Sequence, residues 1–284
     1  MDDFDAGLLK KTSGKFKIFA DDLSKLDKLI SKGKYNPFLV AVDLRKLGTK
    51  IPQADDITEV LQGGAELIDQ LKTRVEHQQS AQKIAIVNEL ANGLSAHGLK
   101  VSGQLPMLMA GPFNLMFDFG ANANVKVYLG NKAYMLGKVA LDVPRVVEMV
   151  LNKYNELFVK EFDAPGFVRD LLNAYKHILE QERQDPGFRV KISGVMLEYV
   201  MQKQRKSFFV DPRRENFVPI QRVEFACMTY RAVGSRRVGE WEMRLDVAAM
   251  GDTKDPLDHI WIPQGLHGEG VNYTTMRFVR REHE

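Results

Sequence analysis

Between Lys203 and Arg244 the sequence carries Lys203, Arg205, Lys206, Arg213, Arg214, Arg222, Arg231, Arg236, Arg237 and Arg244, interleaved with Phe208, Phe209, Phe217 and Tyr230. These 10 cations face 5 carboxylates, whereas residues 1–100 hold 15 Lys and Arg against 14 Asp and Glu. The positive excess is therefore local. Ammonium and guanidinium groups neutralise phosphates, and guanidinium planes and aromatic rings stack on bases, so this mixture suits a nucleic-acid surface. The residues expected to touch nucleic acid are Lys203, Arg205, Lys206, Arg213, Arg214, Arg236 and Arg237. The plainer alternative is a pair of solvated basic loops whose aromatics anchor them to the core.

Other chemistries find less support. Ser13-Gly14-Lys15 lacks the upstream glycine of a phosphate-binding loop, and Phe16 stands where Ser or Thr would hold magnesium. Gly265, Gly268 and Gly270 have the reverse of dinucleotide spacing and read as a flexible loop, so no cofactor is expected. His77, His97, His177, His259, His267 and His283 include no helical pair with a glutamate of the kind zinc hydrolases use. Asp255, Asp258, His259 and His267 form the one concentration of acids and imidazoles, read as turn chemistry in preference to a divalent-metal site. Cys227, flanked by Phe225 and Met228, reads as a small buried side chain. As the single cysteine of 284 residues it can form no internal disulfide.

A net charge of +3 is too mild to mark a nucleic-acid protein by itself, and a 44% hydrophobic content is enough for a sizeable core. The acidic opening Met1-Asp2-Asp3-Phe4-Asp5 is unlike a secretory signal, and the longest uncharged stretch is broken by Pro106, Gly111 and Pro112. A cytoplasmic location without membrane association is the expectation.

The elements that must position these residues read as α+β. Residues 1–15 are short of periodic apolar positions and are expected to fray, while Asp21 to Ile30 has a helical face of Leu23, Leu26, Leu29 and Ile30. Phe38 to Val42 is apolar but too short for periodicity to separate strand from helix. Ile57, Leu61, Gly64, Ile68, Leu71 and Val75 form a heptad seam that passes through Gln78 and Gln82 and resumes at Ile84, Val87, Leu90 and Leu94. The seam predicts one long helix over 55–94, lying on its own domain or meeting a protein partner or a second copy. Alternation over 113–119, broken at Met116, and over 125–129, with a second turn at Gly130-Asn131-Lys132 leading into 134–141, predicts a three-stranded antiparallel meander, and Asp142 with Pro144 opens a helix over it. Further helices are expected after Asp163, over 190–204 and over 219–230, followed by strands near 241–247, 260–262 and 273–279.

Gly234 to Gly239, a turn bearing two arginines between a helix and a strand, resembles the tip of a winged helix. Three regions are expected: a mainly helical 1–100, a meander with its helix over 101–161, and a helical then β-rich 162–284. The reading favoured is a non-enzymatic accessory subunit of a nucleic-acid-handling assembly. A structural protein assembling through the long helix and a metal-dependent nuclease are the alternatives.

Overall fold

The computed structural model describes residues 6–33, 35–51 and 58–280, and only the backbone of helical residues 6–13 and 58–67. Ile57 and His283 lie outside the described residues, as does the side chain of Leu61. The fold is α+β and divides into two compact units, one of residues 1–92 with 117–124, the other of 93–116 with 125–284. The meander and its helix thus share a unit with the C-terminal region, apart from the hairpin tip. Among the described residues no helix is long and apolar enough to cross a membrane.

The first unit is built on three helices, α1 (Ala6–Ser31), α2 (Pro37–Gly48) and α3 (Thr58–Ser95). Helix α1 begins well before Asp21, so the fraying expected of the first fifteen residues gives way to helix from Ala6. Asn36 resolves the ambiguity at Phe38 to Val42 in favour of helix. Its side-chain oxygen accepts from the Phe38 and Leu39 amides at 2.9 and 3.4 Å, and Pro37 has φ preset for the first turn. Leu23 and Ile30, Val40, Leu44 and Leu47, and Ile68, Leu71 and Val75 fill one core. That part of the heptad seam is covered by the chain's own helices. The polar interruption after it serves a local purpose: Tyr35 donates to Gln78, and Gln79 donates to the Pro37 carbonyl at 3.3 Å. Beyond it the buried positions are Ile86, Leu90 and Leu94, while Ile84 is exposed, so the apolar face slips phase relative to the expected seam.

In the second unit, β1 (Val101–Gln104), β2 (Met107–Ala110), β3 (Phe113–Asp118), β4 (Asn124–Leu129) and β5 (Tyr134–Ala140) form a sheet in sequential order. It has two strands more than the expected meander. Asp142 caps α4 (Val143–Tyr154) by accepting from the Arg145 amide at 3.1 Å, and Met149 of that helix reaches the bare Cα of Gly137 in β5. A π-helical turn, Asn155–Val159, follows.

The remainder comprises α5 (Ala164–Glu182), β6 (Val190–Lys191), α6 (Ile192–Gln202), α7 (Lys206–Val210), α8 (Arg222–Arg231), β7 (Arg237–Val238), β8 (Trp241–Val247), β9 (Ile260–Pro263) and β10 (Gly270–Arg280). The second sheet runs β6-β10-β8-β7, with β9 also paired to β10. Its core joins Leu171, Tyr175 and Leu179 of α5 to Val195 and Tyr199 of α6, Phe225 of α8, and Met243, Met276 and Phe278 of the strands. Helix α5 starts where Asp163 accepts from the Gly166 amide at 2.9 Å, with Pro165 in its first turn. Asp163→Ala should cost about 1 kcal/mol of stability and Asp163→Asn only a fraction of that, as read from urea denaturation midpoints.

Candidate nucleic-acid interface

The first basic segment is an ordered excursion between α6 and α8. Gln204 is buried at its neck: its amide nitrogen donates to the Val200 and Val218 carbonyls at 2.7 and 3.0 Å, and its oxygen accepts from the Val218 amide at 2.8 Å. Arg205 to Phe217 therefore leaves and returns at one point, the geometry of a compact Ω-loop. Asn216 donates to the Asp211 carbonyl at 2.8 Å, and the Phe208 ring packs 5.7 Å from Phe209 and 5.6 Å from Phe217. Phe208 is partly buried, whereas Phe209 is 62% and Phe217 37% exposed.

The cations of this segment differ in what they touch. Lys203 pairs with Asp170 of α5 and lies 5.4 Å from the Tyr199 ring centre. Arg213 pairs with Asp211 at 2.9 Å. The side chains of Arg205, Lys206 and Arg214 are exposed and form no ion pair or hydrogen bond among the described residues.

The second segment does not form the tip expected of it. Gly234 and Ser235 belong to a 3-10 turn, and β7 pairs with β8 in a tight hairpin, Arg237 opposite Glu242 and Val238 opposite Trp241. Gly239, at φ 58°, supplies the left-handed residue that a two-residue hairpin turn requires. Arg237 is exposed and unpaired among the described residues, while the Nε of Arg236 is buried without a partner. Two cations absent from the sequence-based set join this hairpin: Lys176 of α5 and Arg280 of β10 lie 5.2 and 5.0 Å from the Trp241 ring centre, and Arg280 pairs with Glu240 at 3.3 Å. A Trp between basic segments was the one available signal for them.

Arg222 and Arg231 are partly buried, and Arg244 is exposed but paired. Burial pushes the Tyr134 hydroxyl pKa up to about 12, against the opposing pull of the nearby Arg222 charge. Arg231 donates to the Lys160 carbonyl at 2.5 Å and lies 4.7 Å from the Phe162 ring centre, and Arg244 pairs with Glu242 at 3.4 Å. The two basic segments leave opposite ends of α8, a helix of 10 residues, so about 15 Å of helix separates them.

From α5 onward the order is helix, strand, three helices and four strands, with the first strand, β6, paired to the last, β10. Were a winged-helix-like element present here, α8, the last helix before the strands, would be its second, recognition helix. In a helix-turn-helix that second helix presents side chains to base edges. Here Val223, Phe225, Ala226, Cys227 and Thr229 are buried, no residue of α8 is fully exposed, and the helix packs against β9 and the π-helical turn as well as α5. Its face is occupied by the protein itself.

The other candidates separate in space. His259 Nδ1 lies 3.0 Å from the Asp255 carbonyl, Asp258 pairs with Lys191 at 2.6 Å, and His267 lines a cleft with Lys100, Ser102 and Tyr154. Among the described residues no three His, Cys, Asp or Glu converge as metal ligands would. Cys227 is 1% exposed beside a cleft of about 310 Å³ lined by Glu156, Phe162, Tyr199 and Glu224, and burial pushes its thiol up to about 12. Native protein at pH 8 should therefore react with a thiol reagent only as fast as it opens, with full reaction in denaturant; fast stoichiometric labelling of the folded protein would contradict this burial. Comparison with protein-family models, curated proteins and solved structures finds no match for the chain.

Proposed function

We propose that the protein is a nucleic-acid-binding accessory subunit that holds the phosphate backbone through the Arg205 to Phe217 loop, assisted by the β7–β8 hairpin. The observation that carries this reading is the ordered loop presenting Arg205, Lys206 and Arg214 without anionic partners among the described residues. A loop clamped at its neck offers these charges at low ordering cost, and an unpaired exposed cation exchanges only water and counterions for a phosphate. Lys203 and Arg213 would support the site by shaping it, since each already holds a carboxylate.

The test is a salt titration of binding to labelled DNA and RNA, comparing the native chain with a variant carrying Ala at 205, 206, 214 and 237. Binding that weakens with salt, and with a shallower slope in the variant, is expected. Absence of binding at low salt, or identical curves, would exclude the reading.

A further inference from the structure

The form of nucleic acid can be narrowed, on the premise that the proposed function holds. We infer that the Arg205 to Phe217 loop takes single-stranded nucleic acid, with bases stacked on Phe209 and Phe217 and phosphates on Arg205, Lys206 and Arg214. Two independent features point this way.

The first is what the fold denies. Reading a duplex with α8 as a recognition helix would require it to enter a groove, but Val223, Phe225, Ala226, Cys227 and Thr229 are buried, its other residues are partly buried, and it packs against α5, β9 and the π-helical turn. Only loops and a hairpin remain, and the two basic segments are separated in the chain by the length of α8.

The second is what the loop offers. Phe209 at 62% and Phe217 at 37% exposure leave ring surface open to solvent on a loop whose third ring, Phe208, is partly buried against them. Neither exposed ring is needed to close the loop's neck, which Gln204 holds through its three hydrogen bonds to Val200 and Val218. Exposed rings beside unpaired cations match the two components of a single-strand site, a face for bases and charge for the backbone, and a duplex keeps its base faces stacked out of reach. The positive rim also distinguishes this patch from a purely apolar docking surface, whose centre is depleted in charge.

The experiment uses the full chain and two labelled probes of about 20 nucleotides, an oligothymidine strand and a duplex of mixed sequence, in low salt with fluorescence anisotropy as readout. The single strand should bind at least about tenfold more tightly than the duplex. Phe209→Ala and Phe209→Leu should each weaken single-strand binding by about tenfold with little effect on the duplex, while Phe209→Trp should match or exceed the native chain. Because Phe209 is largely exposed, these variants should keep the native melting temperature, which is checked alongside. Duplex binding as tight as single-strand binding would overturn the inference while leaving the proposed function standing. So would single-strand binding untouched by Phe209→Ala and Phe209→Leu, a result that would assign the rings to a protein partner. Failure to bind either probe would instead remove the proposed function, and the inference with it.

Discussion

Gly130→Ala is expected to destabilise the second unit by about 3 kcal/mol, lowering its melting temperature by about 6–12 °C, although Gly130 touches none of the candidate binding residues. Gly130 follows β4 at φ 63°, where an L side chain is strained, and a Cβ there would lie 2.4 Å from two atoms of the Trp261 indole. The indole has little room to yield. A Cβ at Gly270 would lie 2.2 Å from the same ring, and the Tyr134 hydroxyl donates to the Trp261 carbonyl at 2.9 Å. Tyr134 and Gly130 belong to the first sheet and its turns, Trp261 and Gly270 to the second, so this indole is where the two sheets of the unit meet. The matching control is Gly194→Ala in α6, where a Cβ would meet nothing within 4 Å. That change should be neutral or stabilising by about 0.5–1 kcal/mol, because alanine favours helix. Equal melting temperatures for the two variants would contradict the packing described.

The second large effect concerns binding. Removing Arg205, Lys206, Arg214 and Arg237 together should reduce nucleic-acid affinity by about 10³-fold at 0.1 M salt. Each lost phosphate contact removes about 0.7–0.9 from the slope of log affinity against log salt, so four contacts remove about three units, or about three decades between 1 M and 0.1 M. Stability should change by no more than about 0.5 kcal/mol per site, since these side chains are exposed and unpaired among the described residues. The same four substitutions made instead at Lys203, Arg213, Arg222 and Arg231 should act differently. Lys203, Arg213 and Arg231 hold Asp170, Asp211 and the Lys160 carbonyl, and Arg222 is partly buried, so losses there should appear in folding stability as well as in binding.

Local signals were legible in the sequence wherever a few neighbouring residues decide the outcome. Asp142 with Pro144 and Asp163 with Pro165 mark two helix starts because the cap and the first turn lie within four residues. Alternation located β3, apart from Met116, and β4 and β8 for the same reason, and β-branched and aromatic residues marked the end of β10. The strands β1 and β2 escaped notice because Gly103, Pro106 and the unbroken apolar run Met107 to Ala110 give no alternation. Their pairing, Val101 to Ala110 through Gln104 to Met107, is what makes them strands. The phase slip in α3 is likewise set by what the helix meets, since Ile84 and Ile86 are equally apolar and only Ile86 is buried.

The basic stretch was visible as composition, but its division into working and structural cations was not. Lys203 is neutralised by Asp170, Arg231 is turned to the carbonyl of Lys160, and Arg222 to Tyr134, all partners distant in sequence. Lys176 and Arg280 reach Trp241 only because α5 and β10 pass on either side of the hairpin in the chain order. The resemblance to a winged-helix tip also changes meaning: the turn that suggested it lies in the β7–β8 hairpin, and α8, the helix before it, has no exposed residue.

The central claim is that unpaired cations on the Arg205 to Phe217 loop hold a nucleic-acid backbone. Its most direct measurement is the slope of log affinity against log salt for the native chain and for the chain with Ala at 205, 206, 214 and 237. A linear fall for the native chain, shallower by about three units in the variant, is the predicted result. Superimposable lines, or no binding by the native chain at the lowest salt, would contradict it.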